Sequence, residues 1–294
     1  MSSTHGSAPV ALRPGTPVVA RSPGVLQIGI EPPTLCVPDE PAVRELLDDL
    51  TRPGGATGTD AATALPDPAR DVLQRLEALG LLIRLPTAVR VADPTDVVLR
   101  AQFGPDAVRR RASRDAAAVA VRCDPATELV LGPLLERAGL SRAELSDLDA
   151  AAHLVVSTGP VDREVLDHLV RGSVPHLLVT GDARRRRVGP FVEPGRTACL
   201  RCVDAHESLS DPRRPLVLAQ AARAAVDSPP PLDPVVEQLV LAWAVRDLVR
   251  HVEGDEPSTW STTVDVAPGG APEVTRWGRH PECGCAWDVL TLMA

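Results

Sequence analysis

The chain has 294 residues and a formal net charge of −8 at pH 7, with 44% hydrophobic and 2% aromatic residues. That length suggests two domains, and the acidic balance argues against a nucleic-acid binder, which would show a basic face. Ala, Val and Leu supply the core material. Every one of the 31 fixed positive charges is an arginine, because lysine is missing, as are asparagine and tyrosine.

Residues 1–12 carry no basic segment followed by an apolar run, so no signal peptide is expected, and disorder is. No stretch of about 18 apolar residues exists, so no membrane span is expected. Six cysteines without an export signal fit a reducing cytoplasm with metal-held thiols. Pro17–Arg21, Val25–Ile30 and Thr34–Val37 are short β-branched runs split by Ser22-Pro23-Gly24 and Pro32-Pro33, the pattern of a small antiparallel sheet. Asp39 is positioned to cap a helix from Pro41 to Leu50, with Val43, Leu46, Leu47 and Leu50 at helical spacing. Residues 51–66 read as a loop. A second helix runs from Pro68 to Leu79 with Val72, Leu73, Leu76 and Leu79 as its stripe, and Gly80 stops it. Leu81–Leu85 follows as a strand. Sheet, helix, loop, helix and strand in this order resemble a winged-helix module.

Residues 86–114 read as a connection, and its Arg109-Arg110-Arg111 run as a solvated face. An α/β pattern then begins. Strands are expected over 117–121, 152–157 and 174–180. Helices are expected over 129–138, 142–148 and 162–171. Strands alternating with helices imply a parallel sheet. Four arginines, Arg184 to Arg187, read as a surface cluster, since successive strand residues face both ways. Helices are expected over 203–208, 216–226 and, starting at Asp233, to Val252. Residues 260–266 and 273–277 then pair as strands.

Four of the cysteines form two close pairs, Cys199-Leu200-Arg201-Cys202 and Cys283-Gly284-Cys285. Four thiolates suit one tetrahedral ion, and a set of four sulfurs points to structural zinc. The alternatives are a redox pair or disulfides. His206 and His280 are reserve ligands. Cys36 and Cys123, in apolar runs, read as plain buried cysteines.

A doubly wound domain usually carries G-x-G-x-x-G after its first strand. Here the segment is Val121-Arg122-Cys123-Asp124-Pro125-Ala126-Thr127-Glu128, with no glycine and with two carboxylates where phosphate would sit. A lysine to hold phosphates is impossible in a lysine-free chain. ATP binding is therefore not expected.

The run Val188-Gly189-Pro190 through Pro194-Gly195-Arg196-Thr197-Ala198-Cys199-x-x-Cys202, with the later cysteine pair, resembles ThiF-like, ubiquitin-activating-enzyme-related proteins of thiazole/oxazole-modified microcin biosynthesis. That group contains partner proteins of cyclodehydratases. The resemblance implies a winged-helix recognition element for ribosomal precursor peptides over residues 13–90, a linker over 91–115, and a degenerate ThiF-like, Rossmann-type parallel-sheet domain with a zinc clasp over 116–294. It also implies that the leader of a precursor peptide adds as a strand beside Thr34, Leu35, Cys36 and Val37, facing a helix that includes Arg70, Leu73, Gln74 and Glu77. ATP would be used by a separate YcaO-type enzyme, and the chain would be a non-catalytic scaffold; because ThiF-like domains commonly dimerise, the resemblance also implies a homodimer. The alternatives are an active adenylyltransferase that activates a carboxylate with ATP, and a winged-helix regulator.

Overall fold

The computed structural model describes residues 9–52, 55–56, 65–85 and 93–286. The chain divides into two compact units, residues 1–112 and 113–294.

In the first unit β1 (Val10–Leu12) precedes β2 (Val18–Ser22), β3 (Val25–Ile28) and β4 (Leu35–Pro38). Strands β2, β3 and β4 form an antiparallel sheet in that order. Ser22 pairs with Val25, leaving Pro23-Gly24 as a two-residue turn, and Gly24 has φ +76°. Pro followed by a positive-φ Gly is the pattern of a type II turn. Two helices follow, α1 (Pro41–Thr51) and α2 (Asp67–Ala78), and then β5 (Leu82–Arg84).

The apolar spacing read from the sequence finds its core here. Helix α1 buries Val43, Leu46, Leu47 and Leu50, and α2 buries Ala69, Val72 and Leu76. They meet Leu26, Ile28, Leu35 and Val37 from the sheet. Leu73 is half-buried and Leu79 is 39% exposed, so the α2 stripe is narrower than its spacing suggested.

Three local expectations fail for identifiable reasons. Residues 10–12 are not disordered: they pair antiparallel with β5, because Ala11 and Leu12 are apolar enough to bury. Residues 1–8 lie outside the described residues, as does most of the expected 51–66 loop. Asp39 does not cap α1. The cap position is Glu40, without a side-chain bond, while Asp39 pairs with Arg44. Cys36 is exposed, because it alternates along β4 with the buried Leu35 and Val37.

Residues 94–116 are mostly helical: α3 (Pro94–Phe103), a 3-10 turn (Gly104–Asp106) and α4 (Ala107–Ala116). The arginine run is not a freely solvated face. Arg109 and Arg110 share Asp106, Arg110 is only 8% exposed and stacks 3.9 Å over the Phe103 ring, and Arg111 bonds Asp93 at 2.8 Å.

The second unit contains β6 (Ala118–Arg122), α5 (Pro125–Ala138), β7 (Ser141–Ala143), β8 (Ala152–Val156), α6 (Arg163–Arg171), β9 (His176–Asp182) and β10 (Arg185–Val192). After these come α7 (Leu200–Glu207), α8 (Arg214–Asp227), α9 (Pro234–Val252), β11 (Thr262–Val266) and β12 (Glu273–Arg276). Seven strands form one sheet in the order β12-β11-β10-β9-β8-β6-β7.

The sheet is mixed, not parallel. Strands β7, β6, β8 and β9 run parallel, while β10, β11 and β12 join as antiparallel neighbours. The reason is local: only Ala183-Arg184 separates β9 from β10, too short for a crossover and enough for a hairpin. The helix expected over 142–148 does not form: residues 141–143 are edge strand β7 beside β6. Helix α9 begins at an Asp233 cap that accepts from Val235 and Val236 N–H, both at 2.9 Å. It buries Val236, Val240, Leu241, Ala244, Val245 and Leu248 against Val119, Leu154, Leu177 and Phe191 of the sheet. Among the described residues no helix is long and apolar enough to cross a membrane.

The surface reading of Arg184–Arg187 holds for Arg184 and Arg185 and fails for the next two. Arg186 is 0% exposed. It makes a two-pronged bond to Glu237 (Nε–Oε2 2.7 Å, Nη2–Oε1 3.0 Å) and donates Nη1 to the carbonyls of Ser157 (2.8 Å) and Gly181 (2.9 Å). Arg187 on the other face bonds both oxygens of Asp265 at 2.8 Å and Glu207 at 3.0 Å. Burial pulls the Arg187 guanidinium down, but bonding to Asp265 and Glu207 outweighs it and raises its pKa above the usual value. Alternation on β10 does split the arginines between two faces, and each face supplies a carboxylate.

Candidate metal centre

Strand β10 leads into a turn built by its own sequence. Glu193 N–H donates to Thr197 Oγ1 at 2.8 Å, and the Arg196 and Thr197 N–H groups return to Glu193 O at 2.9 and 3.0 Å. Gly195 sits within it at φ +82°. Upstream, Gly189 has φ +94°, and a Cβ there would lie 2.3 Å from Thr262 O, so only glycine fits. Ala198 N–H is held by Ser261 Oγ at 2.9 Å. Cys199 then opens α7 at its N-cap, and Cys202 follows one turn later. From the other side Trp277 anchors the returning chain, donating its N–H to Ser261 O (2.8 Å) and Nε1 to Thr263 Oγ1 (2.9 Å). Cys283 N–H closes a turn on His280 O at 3.0 Å.

These two turns bring Cys199, Cys202, Cys283 and Cys285 together, with all four Sγ atoms within 4.8 Å of one another. Measured separations are 3.7 Å (Cys199–Cys202), 3.5 Å (Cys199–Cys283) and 3.3 Å (Cys202–Cys285). A tetrahedral ion with metal–sulfur bonds of about 2.3 Å sets sulfur–sulfur edges of about 3.8 Å. A disulfide needs about 2.0 Å, and all six cysteines are free. The four sulfurs could hold a metal ion such as zinc. Cys199 and Cys202 are buried and Cys283 and Cys285 half-buried, so a bound ion would be largely shielded. Hydrogen bonds from Cys199 and Cys285 push the Cys202 thiol far down, while those to Cys202 and Cys285 push Cys199 far up. Neither reserve histidine joins the set. His206 Nε2 lies 3.0 Å from Gly278 O, and the His280 ring meets the His206 ring edge-on at 5.0 Å.

The segment where a nucleotide loop would lie also has a definite geometry. Asp124 caps α5, accepting from Ala126 N (2.9 Å), Thr127 N (3.0 Å) and Thr127 Oγ1 (2.6 Å). Burial opposes its charged form, but those bonds prevail and lower its pKa. A helix N-terminus attracts phosphate through its free N–H groups and dipole. Here a side-chain carboxylate already occupies that position. Glu128 beside it is engaged by Arg142 at 2.8 and 3.0 Å, and its pKa is lowered chiefly by that bond. Cys123 is half-buried, and burial, then Glu128, pushes its thiol up to about 12, so it is unreactive. Replacing Asp124 by Ala should cost about 0.5–2 kcal/mol of stability through loss of the cap, read as a denaturant-midpoint shift.

The eight residues carried over to a peptide groove are distributed as follows. Thr34 and Cys36 are exposed on and before β4, and Leu35 and Val37 point into the core. On α2, Leu73 is half-buried and Gln74 and Glu77 are exposed. Arg70 is half-buried, bonding Asp67 (2.8 Å) and Leu65 O (2.7 Å). Glu77 lines a separate pocket of about 370 Å³ with Leu82, Ile83, Arg84 and Arg100. Sequence reasoning missed Arg75, whose Nη2 reaches Cys36 O at 3.3 Å. The contact marks which way the strand faces: the Cys36 backbone groups point away from β3, since N–H and C=O of one strand residue point the same way.

No family model matches the chain, and no curated protein matches it in sequence. Its fold does match solved structures. One is the heterocyclase TruD, with a TM-score of 0.71 at 18% identity over 97% of this chain and 44% of TruD. A heterocyclase solved with substrate and cofactor matches at 0.69 and 14% identity, over 96% of this chain and 40% of that one. MccB of E. coli solved with ATP matches at 0.59 and 13% identity, over 94% of this chain and 99% of MccB. The chain therefore spans less than half the length of the heterocyclases it matches. The resemblance drawn from the Gly189–Cys202 run to ThiF-like proteins of thiazole/oxazole-modified microcin biosynthesis holds at the level of fold.

Proposed function

We propose that this chain is a peptide-binding scaffold in the biosynthesis of a ribosomally made, modified peptide. Unit one acts as a winged-helix recognition element that grips the leader of a precursor peptide. The core of that peptide is then presented to a separate YcaO-type cyclodehydrating enzyme. The observation that carries this reading is β4: it ends its sheet, lies beside α2, and turns the Cys36 backbone outward. A peptide strand added there would gain main-chain hydrogen bonds, with Thr34, Leu73 and Gln74 along its path. Zinc held by Cys199, Cys202, Cys283 and Cys285 would be structural, fastening the end of the described chain to the start of α7.

A labelled leader peptide from the neighbouring gene cluster should bind at micromolar levels or tighter. Cys36→Pro removes the outward N–H and should weaken that binding about tenfold, about 1.4 kcal/mol. Absence of binding, or an unchanged affinity for Cys36→Pro with the fold intact, would count against the reading.

The likeness to MccB, solved with ATP, favours a second reading, an adenylyltransferase. Asp124 opposes it, because a triphosphate would meet a fixed carboxylate at the helix end. ATP–pyrophosphate exchange separates the two. The scaffold reading expects none above background.

A further inference from the structure

A pocket of about 240 Å³ is bounded on one side by Cys199, Cys283, Gly284 and Cys285 of the sulfur cluster. Leu166, Val170 and Leu200 form its apolar wall, and Arg163, Arg171 and Arg201 with Asp167 stand around it. His176, the first residue of β9, lines it while only 1% exposed. The His176 Nδ1 atom lies 2.9 Å from Val174 O. A carbonyl only accepts, so Nδ1 carries the proton and Nε2 offers a lone pair. Burial pushes the imidazole down to about 4, which keeps it neutral near pH 7. That Nε2 atom is buried and has no hydrogen-bond partner, and native interiors seldom leave such an atom unmatched. Around it, most charges are already paired. Arg163 is held by Asp204 at 2.7 and 2.8 Å, and Arg201 by Asp167 at 2.7 and 2.8 Å. Arg171 is exposed, and its charge also acts on Asp167, which is held chiefly by Arg201.

We propose that this pocket binds an aromatic carboxylate whose ring carries one O–H or N–H donor. The donor would sit on His176 Nε2, the ring against Leu166, Val170 and Leu200, and the carboxylate beside Arg171. The assignment stands on the pocket's own groups and does not depend on the peptide-scaffold reading.

The test uses the whole chain and calorimetric titration with 4-hydroxyphenylacetate and with phenylacetate, which lacks the hydroxyl. A site built around a buried acceptor rejects the analogue without a donor. The hydroxyl compound should bind at least about tenfold tighter. Its binding should also shift the His176 Nε2 nitrogen resonance. His176→Phe should abolish the preference. Arg171→Ala, an exposed change that leaves the core untouched, should weaken both compounds alike. Tighter binding of N-acetyl-tyrosine than of 4-hydroxyphenylacetate would assign the pocket to the end of a peptide chain, and the reverse to a free acid. Equal affinity for the two phenylacetates, no binding of either, or a structure with only water on Nε2 overturns the proposal.

Discussion

Replacing Cys202 by Ser, or stripping metal with a chelator, is expected to lower the melting temperature by roughly 8–16 °C. The figure combines a loss on the order of 4 kcal/mol, the scale reached when a bound metal is removed, with roughly 2–4 °C per kcal/mol for a domain this size. Metal–thiolate sites that organise a whole small fold supply more, about 10–16 kcal/mol. Here the core around Val119, Leu154, Leu177 and Phe191 does not pass through the sulfurs, so the loss should stay below that range. The second hydrophobic group, Val192 and Ala198 with the cysteines, should loosen. The Trp277 indole packs against this group, so its fluorescence should change before global unfolding. Elemental analysis should find about one metal per chain in the parent and less in Cys202→Ser. A parent chain without metal, melting no differently in chelator, would refute a structural ion.

The second large effect concerns Arg186 and Glu237. Arg186→Ala leaves the Glu237 carboxylate buried without its cation, and Glu237→Ala does the reverse to a guanidinium that is 0% exposed. Breaking such a pair from one side costs about 3–5 kcal/mol. Removing both ends and filling the space, as in Arg186→Met with Glu237→Leu, should recover most of the loss, because taking two charges from water offsets most of what their attraction returns. The carbonyls of Ser157 and Gly181 would still lose a donor, so recovery should stop short of complete. Denaturant midpoints of the two single variants and the double variant check this. Singles within about 1 kcal/mol of the parent would mean that water reaches the pair.

Much of the second unit was legible because its signals are local. Asp162 and Asp233 were read as helix starts, and each caps its helix by accepting backbone N–H bonds. The four cysteines were legible because metal chemistry restricts which residues can gather, so two distant pairs implied one site. What escaped needed three-dimensional information. The reversal of direction at β10 depends on the two-residue link after β9, and an apolar run looks the same in either sense. The depth of Arg186 depends on Glu237, which is 51 positions away. His176 is one histidine in a buried strand, and only the missing partner at Nε2 makes it notable. Asp124 was read from the sequence as a carboxylate placed where phosphate would sit. Its three bonds to the helix end add that the position is already filled.

The pairing of β1 with β5 bears on how the first unit can be handled alone. Val10, Ala11 and Leu12 are matched residue for residue with Arg84, Ile83 and Leu82, and Arg13 N–H adds a bond to Leu81 O at 2.9 Å. A recombinant fragment begun at residue 13 would strip that ribbon of its partner and uncover apolar side chains along a bare strand. Such fragments tend to clump edge to edge, so a peptide-binding assay on the first unit alone needs a fragment that keeps residues 10–12.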